Sequence, residues 1–324
     1  MKTAFITGIA GQDGSYLAEY LVELGYTVYG IVRRNSVPEN QSCRIQHLLD
    51  SEKIITLYGD LLDFSSLENA LKIAQPDEIY NLAAQSHVRI SSDIPVFTTQ
   101  VNSIGALNML EAYRKICPKA RYYQASSSEM FGNSIEDKEG TQNENTRMHP
   151  VSPYGCSKLY AYHMTKHYRH AYGLFTCNGI LFNHESPRRA SNFVTSKIVK
   201  SAIRIKKGLQ SRLELGNLDT YRDWGHSYDY VRAMHAIVVN DKPDDFVVAT
   251  GITHSVRELC DYVFSKLGLD YTKYVVQKEI YKRPEELQYL KGDSSKAREK
   301  LKWKPKYTFE TLLDEMIEHY SSLI

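Results

Sequence analysis

Residues 3–24 read TAFITGIAGQDGSYLAEYLVEL, and the fold follows from their order. A short strand-forming run passes into a loop punctuated by Gly8, Gly11 and Gly14, and a helix-forming stretch comes directly after it. Glycines meet three needs at such a place: a tight turn, close approach of backbone to a pyrophosphate, and a helix that starts against the sheet. The helix N-terminus then presents unpaired amides and a partial positive charge to the phosphates. Gln12 and Asp13 stand in that first turn beside the glycines. A glycine string alone also marks turns that bind nothing. A strand before it and a helix behind it, at the start of the fold, select a dinucleotide site.

Outward from this loop the same alternation continues. YTVYGIV (26–32), KIITLYG (53–59), DEIYNLAA (77–84) and ARYYQAS (120–126) read as strands, with helical stretches FSSLENALKIA (64–74) and VFTTQVNSIGALNMLEAYRKI (96–116) between them. Strands alternating with helices of this length imply right-handed crossovers and a parallel sheet covered on both faces. The expected architecture is α/β: a Rossmann-type doubly wound sheet over residues 1–182. Beyond residue 183 the alternation loosens and the loops fill with Arg, Asn, Asp and Gly. Residues 183–324 are read as a smaller mixed α/β substrate lobe, with room for segments that return to the first domain. Ligands of such sheets lie beyond the carboxyl ends of the strands.

Composition sets the outer bounds. The 324 residues are 42% hydrophobic and 24% charged, as in ordinary globular chains. Forty basic against 38 acidic residues leave a net charge of +2, which gives no reason to expect nucleic acid or an anionic membrane as partner. No apolar run approaches the roughly 18 residues of a spanning helix. The N-terminus turns into the glycine loop where a signal peptide would stay apolar, so a cytoplasmic location is expected. Cys43, Cys117, Cys156, Cys177 and Cys260 are scattered, odd in number and without a CxxC pair, which points to reduced thiols and no metal.

The chemistry is carried by residues at strand ends. The second strand closes in Arg33 and Arg34, where an NAD enzyme carries an acid for the ribose hydroxyls. A guanidinium instead pairs with a 2′-phosphate through two hydrogen bonds, so NADP is the expected cofactor; the plain alternative is a pair of solvated surface arginines. Leu82, Ala83, Ala84 and Ser86 close the fourth strand, where small residues let backbone approach the cofactor. Tyr154 and Lys158 stand four apart, on one face of a helix. A free phenol has a pKa near ~10, too high for a base at neutral pH, and a nearby ammonium would lower it. Ser127 ends the preceding strand, and its hydroxyl can meet the reacting oxygen. Glu129 is the extra residue: a carboxylate beside a sugar ring can take a proton from carbon and return it to a departing hydroxyl. Its plain alternative is a helix N-terminal acid or a surface ion pair.

The strings ITGIAGQDGSYLAEYL, NLAAQSHV, QASSSEMFG, SPYGCSKLYAYH, NHESPRR, NFVTSKI, RDWGH and GDSSKAREKLKWKPK resemble, along nearly the whole chain, the GDP-mannose 4,6-dehydratase family of extended short-chain dehydrogenases. The resemblance implies conversion of GDP-mannose to GDP-4-dehydro-6-deoxy-mannose, a lyase reaction. Oxidation at C4 with NADP is followed by loss of water across C5–C6 and re-reduction at C6. It gives Tyr154, Glu129, Lys158 and Ser127 their roles, Ser127 standing where the family usually has threonine. It implies cofactor contacts from Asp60, Leu61, His184 and Arg189, and substrate contacts from Ser86, Asn183, Lys197, Arg222 and Arg283. The segment from Arg33 to Arg44 resembles a loop that meets a neighbouring subunit's cofactor site, so a homodimer or homotetramer is expected. Two rival readings stay open. An epimerase or 4-ketoreductase would use Tyr154 and Lys158 without the same need for Glu129. A silent NADP sensor would be free to lose all four residues.

Overall fold

Both faces of the first strand are buried, with Ala4, Phe5 and Ile6 exposing nothing; a parallel strand covered by helices on each side requires this. The computed structural model describes residues 1–34, 42–135, 140–281 and 284–324. The N-terminal strands are β1 (Thr3–Thr7), β2 (Thr27–Val32), β3 (Ile54–Tyr58), β4 (Glu78–Asn81) and β5 (Arg121–Ser127). They are followed by β6 (Thr176–Leu181), the short β7 (Asn183–Glu185) and β8 (Trp224–His226), and β9 (Asp245–Val248). Seven of them form one sheet in the order β9-β6-β5-β4-β1-β2-β3, and its paired strands all run parallel.

Alternation along these strands feeds two cores. Ala4, Ile6, Tyr80 and Tyr123 point to one face, where Leu17 and Leu21 of α1 (Gln12–Glu23) cover them. Phe5, Ile79 and Tyr122 point to the other and meet Leu67 and Leu71 of α2 (Phe64–Ala74) and Met109 and Leu110 of α3 (Gly105–Ile116). The long helix expected over 96–116 is broken: a π-helical turn, Gln100–Ile104, interrupts it. The catalytic helix candidate is α4 (Pro153–Tyr172), started by Pro153 at its first position and by the Ser152 hydroxyl, which accepts from Gly155 N at 3.0 Å.

The second half does not stay in its own lobe. A third core, built on Ile198, Val199 and Ala202 of α5 (Val194–Lys206), joins Leu259, Phe264, Leu312 and Met316. Between these segments the chain crosses back: α6 (Ser227–Val239) packs against α1, and β9 extends the main sheet beside β6. The parallel pair β7–β8 lies where the two lobes meet.

Asp229 of α6 fastens the tail to the first core. Its fully buried carboxylate accepts from Lys306 N at 2.7 Å and Tyr307 N at 2.9 Å and pairs with Arg232 at 3.1 Å. The Trp303 indole donates to the Asp229 carbonyl at 2.8 Å. Asp229→Ala would bury two backbone amides without acceptors, at a cost of about 2–5 kcal/mol. Calorimetry should show the melting temperature falling by several degrees, with the C-terminal segment more open to proteolysis.

Candidate functional site

The turn between β1 and α1 packs directly against backbone. Gly8 has φ +73°, and a Cβ there would sit 3.0 Å from Ala83 Cα; a Cβ at Gly14 would lie 2.2 Å from the Gly8 carbonyl oxygen. Thr7 fixes the facing loop, accepting from Leu82 N and Ala83 N at 3.0 Å each while donating to Asn81 Oδ1 at 2.7 Å. Over this turn lies a cleft of about 400 Å³ lined by Gly8, Gly11, Gln12, Asp13, Gly14, Arg33, Asp60, Leu61, Leu82, Ala83, Ala84, Ser86 and Arg189. Arg34, beside Arg33, is exposed. The shape suits an extended dinucleotide, with the α1 N-terminus and small side chains at the phosphate end and Arg33 and Asp60 at the other.

A second cleft, of about 330 Å³, opens between the lobes and is lined by Ser127, Glu129, Tyr154, Lys158, Asn183, His184, Lys197 and Arg222, among others. Asp13, Leu82, Ser86 and Arg189 line both clefts, so the two are continuous. Two molecules bound there would meet beside Tyr154.

Tyr154 lies in the first turn of α4, buried, and Lys158 Nζ donates to the Ala125 carbonyl at 2.9 Å, 5.8 Å from the Tyr154 ring centre. Burial, above all, pushes the phenol up to about 12; Glu129 and Asp13 act in the same direction, while a hydrogen bond with Ser127 and the Arg189 charge oppose it. Desolvation is thus the main influence on the phenol here. Burial also pushes the Lys158 ammonium down to about 8, against the opposing charge of Asp13. Ser127 closes β5 and accepts from Glu129 N at 3.3 Å. Glu129 sits buried in a single 3₁₀ turn, Ser128–Met130, whose geometry sets it beside the tyrosine and not along a helix.

The remaining candidates spread around the second cleft. Lys197 Nζ donates to the Glu214 carbonyl at 2.6 Å and stands 4.2 Å from the Tyr281 ring centre. Buried Arg222 pairs with Glu286 at 3.2 Å. Arg189 pairs with Glu185 at 3.0 Å and stacks over Phe193 at 3.6 Å. Arg283, and residues 35–41 of the segment expected to meet a neighbouring subunit, lie outside the described residues.

Several residues of the site escaped sequence reasoning. Asn102, in the π-helical turn, accepts from Gln85 N at 2.9 Å and donates to the Gln85 carbonyl at 3.0 Å and to Ser157 Oγ at 3.1 Å. It thereby ties the loop after β4 to the turn of α4 that carries Tyr154, and π-turns often mark functional sites. No periodicity signals such a break. Gln12, on the wall of the first cleft, also reaches across it: its side chain donates to the His184 carbonyl at 3.1 Å and accepts from Ser186 at 2.8 Å, joining the glycine loop to β7.

A parallel α/β fold with a tyrosine and a lysine one helical turn apart at the strand ends, facing a strand-end serine, is the arrangement that the resemblance to the extended short-chain dehydrogenases implies. Solved structures with this architecture include dTDP-glucose 4,6-dehydratase from Bacillus anthracis in complex with NAD, at TM-score 0.85 and 22% identity over 99% of this chain and 97% of that one. UDP-glucose 4-epimerase from Thermotoga maritima matches at TM-score 0.86 and 24% identity, over 99% of each chain. Sequence narrows the class. The family model described as GDP-mannose 4,6 dehydratase matches residues 5–316. GDP-mannose 4,6 dehydratase 1 of Arabidopsis thaliana is 50% identical over 98% of this chain and 89% of its own length. The Homo sapiens GDP-mannose 4,6 dehydratase is 45% identical over 98% and 90%. The chain belongs to the GDP-mannose 4,6 dehydratase family.

Proposed function

We propose that this chain is a hydro-lyase that converts GDP-mannose to GDP-4-dehydro-6-deoxy-mannose with NADP as its resident cofactor. The observation that carries the reading is Glu129, buried beside Tyr154 and Ser127 in the cleft between the lobes. A carboxylate placed there has no task in simple alcohol oxidation and an obvious one in elimination.

The residues divide the proton work. Ser127 orients the sugar 4-hydroxyl, and Tyr154 takes its proton. When bound, the dinucleotide supplies the two-electron acceptor that takes hydride from C4 and returns it at C6, and its ring adds positive charge beside Tyr154. Lys158 holds the nicotinamide ribose and, with Arg189, helps a phenol that burial keeps protonated to act as a base. Once C4 is a ketone, the C5 hydrogen is acidic; Glu129 removes it and protonates the C6 oxygen, which leaves as water, and after reduction at C6 a proton is returned to C5, balancing the one Tyr154 took from the 4-hydroxyl. Asn183, Lys197, Arg222 and Arg283 are proposed to hold the sugar and its diphosphate, and His184 the nicotinamide side.

NADP in preference to NAD rests on Arg33 at the end of β2, on the wall of the first cleft. A homodimer or homotetramer is also proposed. Exposed Val96, Phe97, Ile104 and Tyr160 on adjoining elements offer an apolar face that a second copy would cover.

Purified protein given GDP-mannose and no added reductant should yield a product lighter by one water in mass spectrometry. Glu129→Gln should spare the first oxidation and block elimination, leaving a lasting NADPH absorbance in single-turnover mixing and a turnover lower by ~10²–10⁴-fold. Turnover near that of the unaltered protein would remove Glu129 from its role. Arg33→Asp should weaken NADP far more than NAD in fluorescence titration, because only NADP brings the 2′-phosphate; equal affinities in the unaltered protein would exclude the NADP assignment.

A further inference from the structure

His184 is held by acceptors at both ring nitrogens. Nδ1 lies 2.7 Å from the Phe182 carbonyl, and Nε2 lies 2.8 Å from Asp13 Oδ2. A carbonyl and a carboxylate both need a donor, so only the doubly protonated ring satisfies the two contacts together. The ring also stacks on Tyr230 of α6, with centres 4.5 Å apart. Asp13 belongs to the glycine loop and His184 to β7, so the contact spans the two lobes. Gln12 doubles it, bridging Asp13 Oδ1 at 3.2 Å and the His184 carbonyl at 3.1 Å.

We propose that Asp13 and His184 form a positioning ion pair, which locks the dinucleotide loop to the substrate lobe and keeps a fixed negative charge beside Tyr154 and Lys158. This rests on the dehydratase reading for its consequences in catalysis, but not for its geometry. With both ring nitrogens occupied, the His184 side chain supports the nicotinamide end of the cleft by its face and through Asp13, not by a hydrogen bond of its own.

The charges around the pair agree with this. Burial disfavours the His184 cation, but Asp13 and the Phe182 carbonyl outweigh it and the opposing Arg189, so the ring is raised above its ordinary value. Burial likewise disfavours the Asp13 carboxylate, and His184 and Arg189 outweigh that, holding it below the usual range. Facing the pair are Arg189 from the loop after β7, Tyr230 from α6, Tyr123 from β5, and Tyr154 and Lys158 from α4. Asp13 favours the protonated form of both Tyr154 and Lys158. Removing its charge must therefore move both titrations the same way, toward lower pH.

Two measurements on the full chain test the pair. Nitrogen NMR with labelled histidine, assigned against His184→Gln, should show both ring nitrogens of His184 protonated at pH 7. Asp13→Asn, which keeps an acceptor oxygen but no charge, should shift the acid and the alkaline limb of the kcat profile together to lower pH. It should also lower kcat by on the order of 10²-fold while leaving KM for GDP-mannose little changed. NADP binding by fluorescence should weaken by about tenfold or more, as for a lost charge-assisted contact. A neutral His184 at pH 7 overturns the proposal, as does a folded Asp13→Asn protein with unmoved pH limbs and unaltered NADP affinity. If the unaltered protein fails to dehydrate GDP-mannose, the dehydratase reading falls, while the NMR and NADP-binding arms still decide the pair.

Discussion

Backbone contact between the glycine turn and the loop after β4 is the constraint on which both clefts depend. Gly8 touches the backbone of Ala83, and Thr7 accepts the amides of Leu82 and Ala83 from the strand alongside. Asn81 carries the same connection on to Gln124 of β5 at 2.9 Å, and the carbonyl of the next residue, Ala125, receives Lys158. Three neighbouring strands are thus fixed in height by buried polar side chains, and side chains that must act together in the cleft start from a common level. Such a network is useful only if each member is satisfied, since an unpaired buried polar group costs about 1–3 kcal/mol.

The same burial that fixes the site also sets its charge states. Tyr154 and Lys158 are both driven by desolvation toward their neutral forms. The two neutral forms oppose each other in use: a neutral lysine gives no help to a tyrosine that has to lose its proton. Ser127 and Arg189 oppose that drift at Tyr154 and Asp13 opposes it at Lys158, while at Tyr154 Asp13 adds to it; each reaches the pair from a different element. This is how pKa values are tuned at sites that move protons: opposed environments of a few named groups, not one dominant neighbour.

Much of this was legible in the chain itself. Strands ending in Gly8, Arg33, Ala83 and Ser127 were visible because β-branched runs and glycine punctuation are local signals, and the Tyr154/Lys158 spacing is a property of one helix. What stayed hidden depends on distant contacts. The π-turn around Asn102 answers to Gln85 and Ser157, 17 and 55 residues away. Gln12 turns toward a strand more than 170 residues on. Nor did the sequence name the segments that return to the sheet, because a four-residue strand such as DFVV looks alike in either lobe. The same holds for Tyr154: its proximity to Lys158 can be read from spacing, but the depth of burial that pushes its phenol up cannot.

The return of the chain through α6 and β9 has a consequence for how the enzyme opens. A lobe joined to its neighbour by one linker can swing as a rigid body about a hinge. Here the polypeptide passes between the lobes several times, after β6, into α6 and again beyond β9, and Asp229 clamps the tail to the first core. Swinging the whole lobe would stretch all these crossings at once. The crossings thus oppose a hinge motion of the whole lobe and hold the two walls of the cleft at one spacing.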